Sequence, residues 1–240
     1  MKWNLMGTWY GHSTWGFELD SFRIVVDPFL DANPSAKTKA SEIHATHVLI
    51  SHGHSDHIAD AASIARRTGA QVLTNFEIAQ WLERHHQVPH VVGMNHGGKI
   101  KTGFGSATLV PAVHSSSLPD GTYGGTAGGW LLEFQRPDGE AFRIYYAGDT
   151  AVFSDMKWIA RNGIDCFIVP IGDLFTMGPE DSLEAIRLVA PRMVIPTHYN
   201  TWPPIAQDAR AWAEAVKSMT SAIPLLPDID VPFSLLANSQ

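Results

Sequence analysis

The sequence predicts an α/β protein in which two facing mixed β-sheets carry helices on their outer faces, an αββα sandwich, within a single domain spanning residues 1–240. Three observations predict it. The chain opens on strand-like segments and passes to helix–strand alternation. Its second half then runs through the same order, strands first and helix–strand units after. No linker separates the halves, and a chain of 240 residues with 45% hydrophobic content can bury one full core.

Each element has its own signal. Trp9, Trp15, Phe17 and Leu19 alternate in part, and the apolar run from Phe22 to Val26 ends at Asp27-Pro28. His47-Val48-Leu49-Ile50 reads as a buried strand. Ile58, Ala61, Ala62 and Ala65 then recur at helical spacing up to Gly69, a residue suited to a helix C-terminus. A strand from Gln71 to Leu73 and a helix from about Phe76 to His86 follow, so at least one strand pair is parallel with a crossover helix.

From Val91 to Phe134 helical periodicity gives way to glycine-punctuated strands, chiefly Ala107 to Val113 and Trp130 to Phe134, around a Ser- and Gly-rich stretch at 115–129. Pro137-Asp138-Gly139 predicts a hairpin joining Trp130–Gln135 to Phe142–Ala147. Helix from Asp155 to Arg161, strand from Cys166 to Val169, helix from Pro179 to Ala190, strand from Met193 to Pro196 and a helix near Ala206 to Ser218 complete the chain. Pro179 followed by Glu180 and Asp181 suits a helix N-terminus.

Charge narrows the partners. With 17 basic against 24 acidic residues, and the basic ones scattered, the chain lacks the cationic footprint that phosphate backbones require. The expected partner is a small molecule, with no nucleic acid and no membrane, and homo-oligomerisation is left open. One cysteine, Cys166, sits in an apolar run and reads as a buried structural thiol. The expected location is the cytoplasm, since Met1-Lys2-Trp3-Asn4-Leu5 has no signal-peptide core and no stretch approaches the ~18 apolar residues of a membrane span.

The chemistry is concentrated in Ser51-His52-Gly53-His54-Ser55-Asp56-His57, directly after a buried strand. Neutral imidazoles and carboxylates are the ligands of divalent cations. His52 and His54 can point one way from an extended segment, while Asp56 and His57, one turn further on, can address a second ion. Three more strands end on His114, Asp149 and His198, and strand ends are where α/β proteins build sites. Five His and two Asp satisfy the demand of two cations about 3.5–4 Å apart with a bridging oxygen. His44, His47, His85, His86, His90 and His96 lack this context and read as surface or core.

The pattern His52-X-His54-X-Asp56-His57, then His114, Asp149 and His198, resembles the metallo-β-lactamase superfamily, whose fold is the αββα sandwich. Gly11-His12-Ser13, Asp27-Pro28-Phe29, His114-Ser115-Ser116, Tyr146-Ala147-Gly148-Asp149-Thr150 and Pro196-Thr197-His198-Tyr199 are similar to a branch of small metal-dependent hydrolases that includes ascorbate-6-phosphate lactonase-like proteins. The resemblance implies His52, His54 and His114 on one metal, Asp56, His57 and His198 on the other, and Asp149 as bridge. β-Lactam-hydrolysing members usually carry Cys where Asp149 stands, which argues against that substrate.

The implied cofactors are two divalent cations, Zn or Mn first and Fe or Ni next. The implied activity is hydrolysis of a small ester, lactone or phosphoester by a hydroxide generated between the ions, with Asp149 bridging and Asp56 or a metal-bound water relaying the proton to the leaving group. The alternatives are a phosphodiesterase or nuclease, and a non-catalytic metal-binding regulatory protein. Substrate or supporting contacts are expected from His12, Asp27, Tyr123, Thr176 and Tyr199, with Asp27 placed to orient a ligand imidazole through its free ring nitrogen.

Overall fold

A computed structural model describes residues 3–236. Strands β1 (Met6–Trp9), β2 (Trp15–Leu19) and β3 (Phe22–Val26) form an antiparallel meander. To it β4 (His47–Leu49), β5 (Gln71–Asn75) and β6 (Val91–Met94) add in parallel. The helices α1 (Ser55–Ile58), α2 (Ala61–Thr68) and α3 (Phe76–His86) lie on the crossovers.

The second half repeats the plan. Strands β7 (Lys99–Thr102), β8 (Gly105–Pro111), β9 (Gly128–Gln135) and β10 (Ala141–Tyr146) are antiparallel. After α4 (Met156–Ile159), β11 (Cys166–Pro170) pairs parallel with β10; α5 (Pro179–Val189), β12 (Met193–Thr197), α6 (Ala209–Met219) and β13 (Ile223–Pro224) extend the parallel part. The last strand, β14 (Phe233–Ser234), returns to the edge of the first sheet beside β1, so each sheet has seven strands.

Strand alternation sorts the core into two layers. Ile24, Val26, Leu49 and Leu73 face the second sheet together with Trp15 and Phe17, against Trp130, Leu132 and Phe134. Val25, Val48, Ile50 and Val72 face the other way, onto Ile58, Ile64, Ala65, Ile78 and Leu82 of the helices. Phe17 meets Phe134 with ring centroids 6.2 Å apart, and the Trp15 indole donates to Thr197 Oγ1 at 3.1 Å, so the sheets touch directly. Cys166 is fully buried, and burial pushes its thiol pKa up. No helix among the described residues is long and apolar enough to cross a membrane.

Two helices differ from the periodicity. The pattern through Ile58 and Ala61 is one face of two helices, because Asp60, its backbone still right-handed, sends its N–H to the Pro28 carbonyl at 3.0 Å while its carboxylate accepts Leu30 N–H at 2.7 Å and Asp31 N–H at 3.1 Å. The helix expected over Asp155 to Arg161 is regular only from Met156 to Ile159. Strands β13 and β14, two residues each, are too short to show alternation in sequence.

Candidate metal centre

The chain turns off the end of β4 into an extended segment, and His54, with φ −65° and ψ 148°, is the residue before α1. Asp56 and His57 therefore lie in the first helical turn while His52 and His54 precede it. His114 follows β8, Asp149 follows β10 and His198 follows β12. Gly148 supplies the sharp entry to Asp149: its φ is 66°, and a Cβ there would lie 2.5 Å from the Gly128 carbonyl oxygen. Only glycine meets both demands.

The seven residues converge. Asp149 Oδ2 stands 3.0 Å from His198 Nε2, 3.3 Å from His57 Nε2, 3.8 Å from His114 Nε2 and 4.0 Å from His52 Nε2. His52 Nε2 and His54 Nδ1 face each other at 3.0 Å. Ligand atoms compact enough for one ion form a set from His52, His54 and His114 and another from His12, Asp56, His57 and His198. Ligands about 2.0–2.2 Å from one cation are spaced in this way. His57 Nε2 and Asp149 Oδ1 are buried without a hydrogen-bond partner, as donor atoms reserved for a cation would be. The donor set fits two divalent ions.

Asp27 organises the back of the site. It is fully buried, and its Oδ2 accepts from His57 Nδ1 at 2.8 Å, from the Tyr146 hydroxyl at 2.7 Å and from Ser51 Oγ at 2.5 Å, while Oδ1 accepts Ser51 N–H at 2.7 Å. Ser51 Oγ, having donated to Asp27, accepts from His52 Nδ1 at 2.9 Å. One carboxylate thus holds an Nδ1 proton on both His52 and His57 and turns both Nε2 atoms toward Asp149. Ser51 and Tyr146 stand inside sequence motifs, but nothing in sequence assigned them this role.

His12 sits on the other side. It is fully buried, its Nε2 lies 3.0 Å from Asp56 Oδ2 and its Nδ1 2.8 Å from Thr201 Oγ1. An ionised carboxylate only accepts, so the His12 proton is on Nε2 and Thr201 donates to Nδ1. His12 therefore orients Asp56. Its own carbonyl accepts from Trp9 Nε1 at 2.9 Å, His198 N–H at 3.0 Å and Thr197 Oγ1 at 2.7 Å. Those bonds hold an unfavourable backbone at His12 and His198, with φ of 52° and 54°, while Asp27, at φ 46°, is held by its N–H on the Leu49 carbonyl at 2.9 Å and by Thr14 Oγ1 donating to its carbonyl at 2.8 Å. Left-handed conformations of non-glycine residues cost about 1–3 kcal/mol each and gather at functional sites.

Electrostatics sets the protons. Burial lowers the pKa of His52 well below the imidazole norm, with help from His57, and burial also lowers His54 and His114. His12 falls to about 4, chiefly by burial and then by His198. These rings are neutral, the form that ligates metals. Burial opposes a proton on His57 too, but Asp149, Asp27 and Asp56 outweigh it and raise that pKa well above the norm. Asp149 is lowered well below the carboxylate range because His198 and His57 overcome its burial.

The remaining expected residues are spread around the mouth. Tyr123 is exposed, on a loop whose base is pinned to the site: Ser116 Oγ accepts Gly53 N–H at 3.1 Å and donates to the Gly124 carbonyl at 2.8 Å. Thr176 donates its hydroxyl to the Met177 carbonyl at 3.1 Å. Tyr199 is mostly buried, stacked on Trp9 with centroids 5.2 Å apart, and burial takes its hydroxyl up to about 12. Trp202 instead stands edge-on to His12 at 4.9 Å.

The family model described as "Beta-lactamase superfamily domain" matches residues 22–199. A UPF0173 metal-dependent hydrolase of Thermus thermophilus is 46% identical over 86% of this chain and 89% of its own. A second, from Methylacidiphilum infernorum, is 44% identical over 95% of each. The solved structure of Igni18, a metallo hydrolase from Ignicoccus hospitalis, superposes with a TM-score of 0.84 at 32% identity, covering 96% of this chain and 98% of that one. The chain therefore belongs to the metallo-β-lactamase superfamily and, within it, to the UPF0173 metal-dependent hydrolases.

Proposed function

We propose that this metal-dependent hydrolase works with two adjacent divalent cations, zinc or manganese first and iron or nickel next, on a small ester, lactone or phosphoester in the cytoplasm. The observation that carries the reading is Asp149 Oδ2, which lies within 3.0–4.0 Å of imidazole nitrogens drawn from both clusters. His52, His54 and His114 would hold one cation, Asp56, His57 and His198 the other, and Asp149 both. Such a pair supplies an acidified water and a Lewis acid for the substrate oxygen.

The chain's own residues do the rest. Asp27, directly and through Ser51, keeps His57 and His52 facing inward. His12 fixes the carboxylate of Asp56. Asp56 is 25% exposed, against 3% for Asp149, so of the two it is the one that solvent and substrate reach. It takes a proton from water as the water oxygen bonds to the acyl carbon or phosphorus, and returns it to the leaving oxygen as that bond breaks.

The test joins metal counting to turnover. Zinc- or manganese-loaded protein is expected to hold two equivalents by elemental analysis and to hydrolyse at least one of a lactone, a thioester and a phosphodiester, with a β-lactam as control. Asp149→Ala is expected to lose both bound metal and turnover. Full metal content and activity in Asp149→Ala would defeat the bridging role. Tight metal retention with no turnover on any substrate would make the chain a metal-binding protein.

A further inference from the structure

The segment after β11 forms an arch over the mouth of the site. Its first foot, Gly172, is packed on His198: a Cβ there would lie 2.2 Å from the His198 carbonyl oxygen and 3.1 Å from Nδ1. Its second foot, Met177, donates its N–H to the Thr150 carbonyl at 3.0 Å, one residue past Asp149. Between them Asp173 and Leu174 have φ of 62° and 46°, held by Asp173 Oδ1 accepting Leu174 N–H at 2.8 Å and by Thr176 N–H on the Asp173 carbonyl at 3.2 Å. This unfavourable backbone displays two apolar side chains to solvent, Leu174 at 67% and Phe175 at 54% exposure. Beside the same Thr150, whose Oγ1 accepts its N–H at 2.9 Å, Val113 is 53% exposed and adjoins His114.

The charge pattern of the mouth is equally one-sided. The segments that carry the site, 12–14, 27–35, 51–58, 112–128, 147–155, 171–178 and 197–205, contain none of the 17 Lys and Arg residues. Their charged side chains are aspartates alone. Phosphate recognition ordinarily draws on guanidinium or ammonium groups, or on a helix N-terminus. The helix N-terminus at the arch, that of α5, already faces a carboxylate: Asp173 lies against Gly178, whose Cβ would be 3.2 Å from Asp173 Cγ.

We infer that the substrate is a neutral carboxylic ester, lactones included, whose apolar chain rests on Leu174, Phe175 and Val113, and that phosphoesters are poor substrates. The inference rests on the hydrolase reading above and narrows it. In the reaction the water oxygen bonds to the carbonyl carbon, the acyl–oxygen bond breaks, and the water's proton ends on the leaving alcohol.

The experiment compares p-nitrophenyl acetate, butyrate and hexanoate, and an alkyl acetate series, with bis-p-nitrophenyl phosphate on metal-loaded protein. The expected result is a kcat/KM that climbs up to about fourfold per methylene, the equivalent of ~0.8 kcal/mol for a fully buried CH2, in the acyl or the alkyl series, and exceeds that for the phosphodiester. Phe175→Ala and Leu174→Ser are expected to flatten the climb at unchanged metal content, whereas Trp158→Ala, an exposed aromatic outside these segments, leaves it intact. Calorimetric binding of acetate, butyrate and hexanoate against inorganic phosphate reads the same wall without turnover, and affinity should rise with chain length. Flat series by both methods, preference for the phosphodiester, or a climb unaffected by Phe175→Ala would each overturn the inference. Chain-length-dependent binding with no hydrolysis would overturn the hydrolase reading while upholding the apolar wall.

Discussion

His57 Nδ1 lies 2.8 Å from Asp27 Oδ2, and that single bond decides which ring nitrogen His57 offers to Asp149. An asparagine at position 27 keeps the shape but cannot accept from His57, Ser51 and Tyr146 together. Asp27→Asn is therefore expected to weaken metal binding about 10- to 100-fold, the usual consequence of losing an orienting partner. Competition against a fluorescent chelator measures it, and wild-type affinity in the variant would remove Asp27 from this role.

Metal uptake must expel the proton that Asp149, Asp27 and Asp56 keep on His57. Affinity is thus expected to increase with pH until the raised His57 pKa is passed, with proton release visible as buffer-dependent binding enthalpy. Binding that is flat across neutral pH, with no proton released, would contradict this.

Stability of the metal-free protein should bend in both directions with pH. The raised His57 pKa contributes stability in full below its unfolded value of 6.5, and that contribution is lost as pH rises through the folded pKa. His12 behaves oppositely: with its pKa lowered from 6.5 to about 4, its contribution is present above 6.5 and drains away as pH falls toward 4. Thermal melts of metal-free protein should fall on both sides of near-neutral pH, and His12→Gln should shallow the acid side.

Gly148→Ala forces a side chain to φ 66° and against the Gly128 carbonyl. A loss of more than about 1 kcal/mol in unfolding free energy is expected, together with reduced metal content because Asp149 must shift. Gly163→Ala, at φ 79° with nothing within 4 Å, is the control for backbone strain and should leave metal content unchanged.

Tyr199→Phe should change neither activity nor metal content, and stability by no more than about 0.5 kcal/mol. Tyr199→Ala, which empties the stack on Trp9, should cost about 3–5 kcal/mol. A specific loss of turnover in Tyr199→Phe would return this residue to the substrate.

How far the sequence could be read depended on range. Strand alternation and helical spacing are local, so the two sheets, their crossovers and the hairpin at Pro137-Asp138-Gly139 were legible. His52, His54, Asp56 and His57 were visible because four chemical groups fall within six consecutive positions. Asp149 and His198 were visible only through motif order. The His12–Asp56 bond was not, because it joins β1's end to α1 across 44 positions and a lone buried histidine has no spacing to betray it. Asp60 was hidden for a related reason: its helical neighbours keep the period while its carboxylate answers to the loop at Leu30. The arch at Gly172 was unreadable, since its shape is fixed by contacts with His198 and Thr150 from other strands.

The distribution of the clusters over the two sheets has a polymer consequence. His52, His54, Asp56 and His57 hang from the first sheet, whereas His114, Asp149 and His198 hang from the second. A cation shared by His52 and His114, or by His57 and His198, would be a reversible cross-link closing loops of about 60 and about 140 residues. Such links act like removable staples between the halves of the chain, so a chelator would be expected to reset how cooperatively the two sheets come apart as well as stopping chemistry.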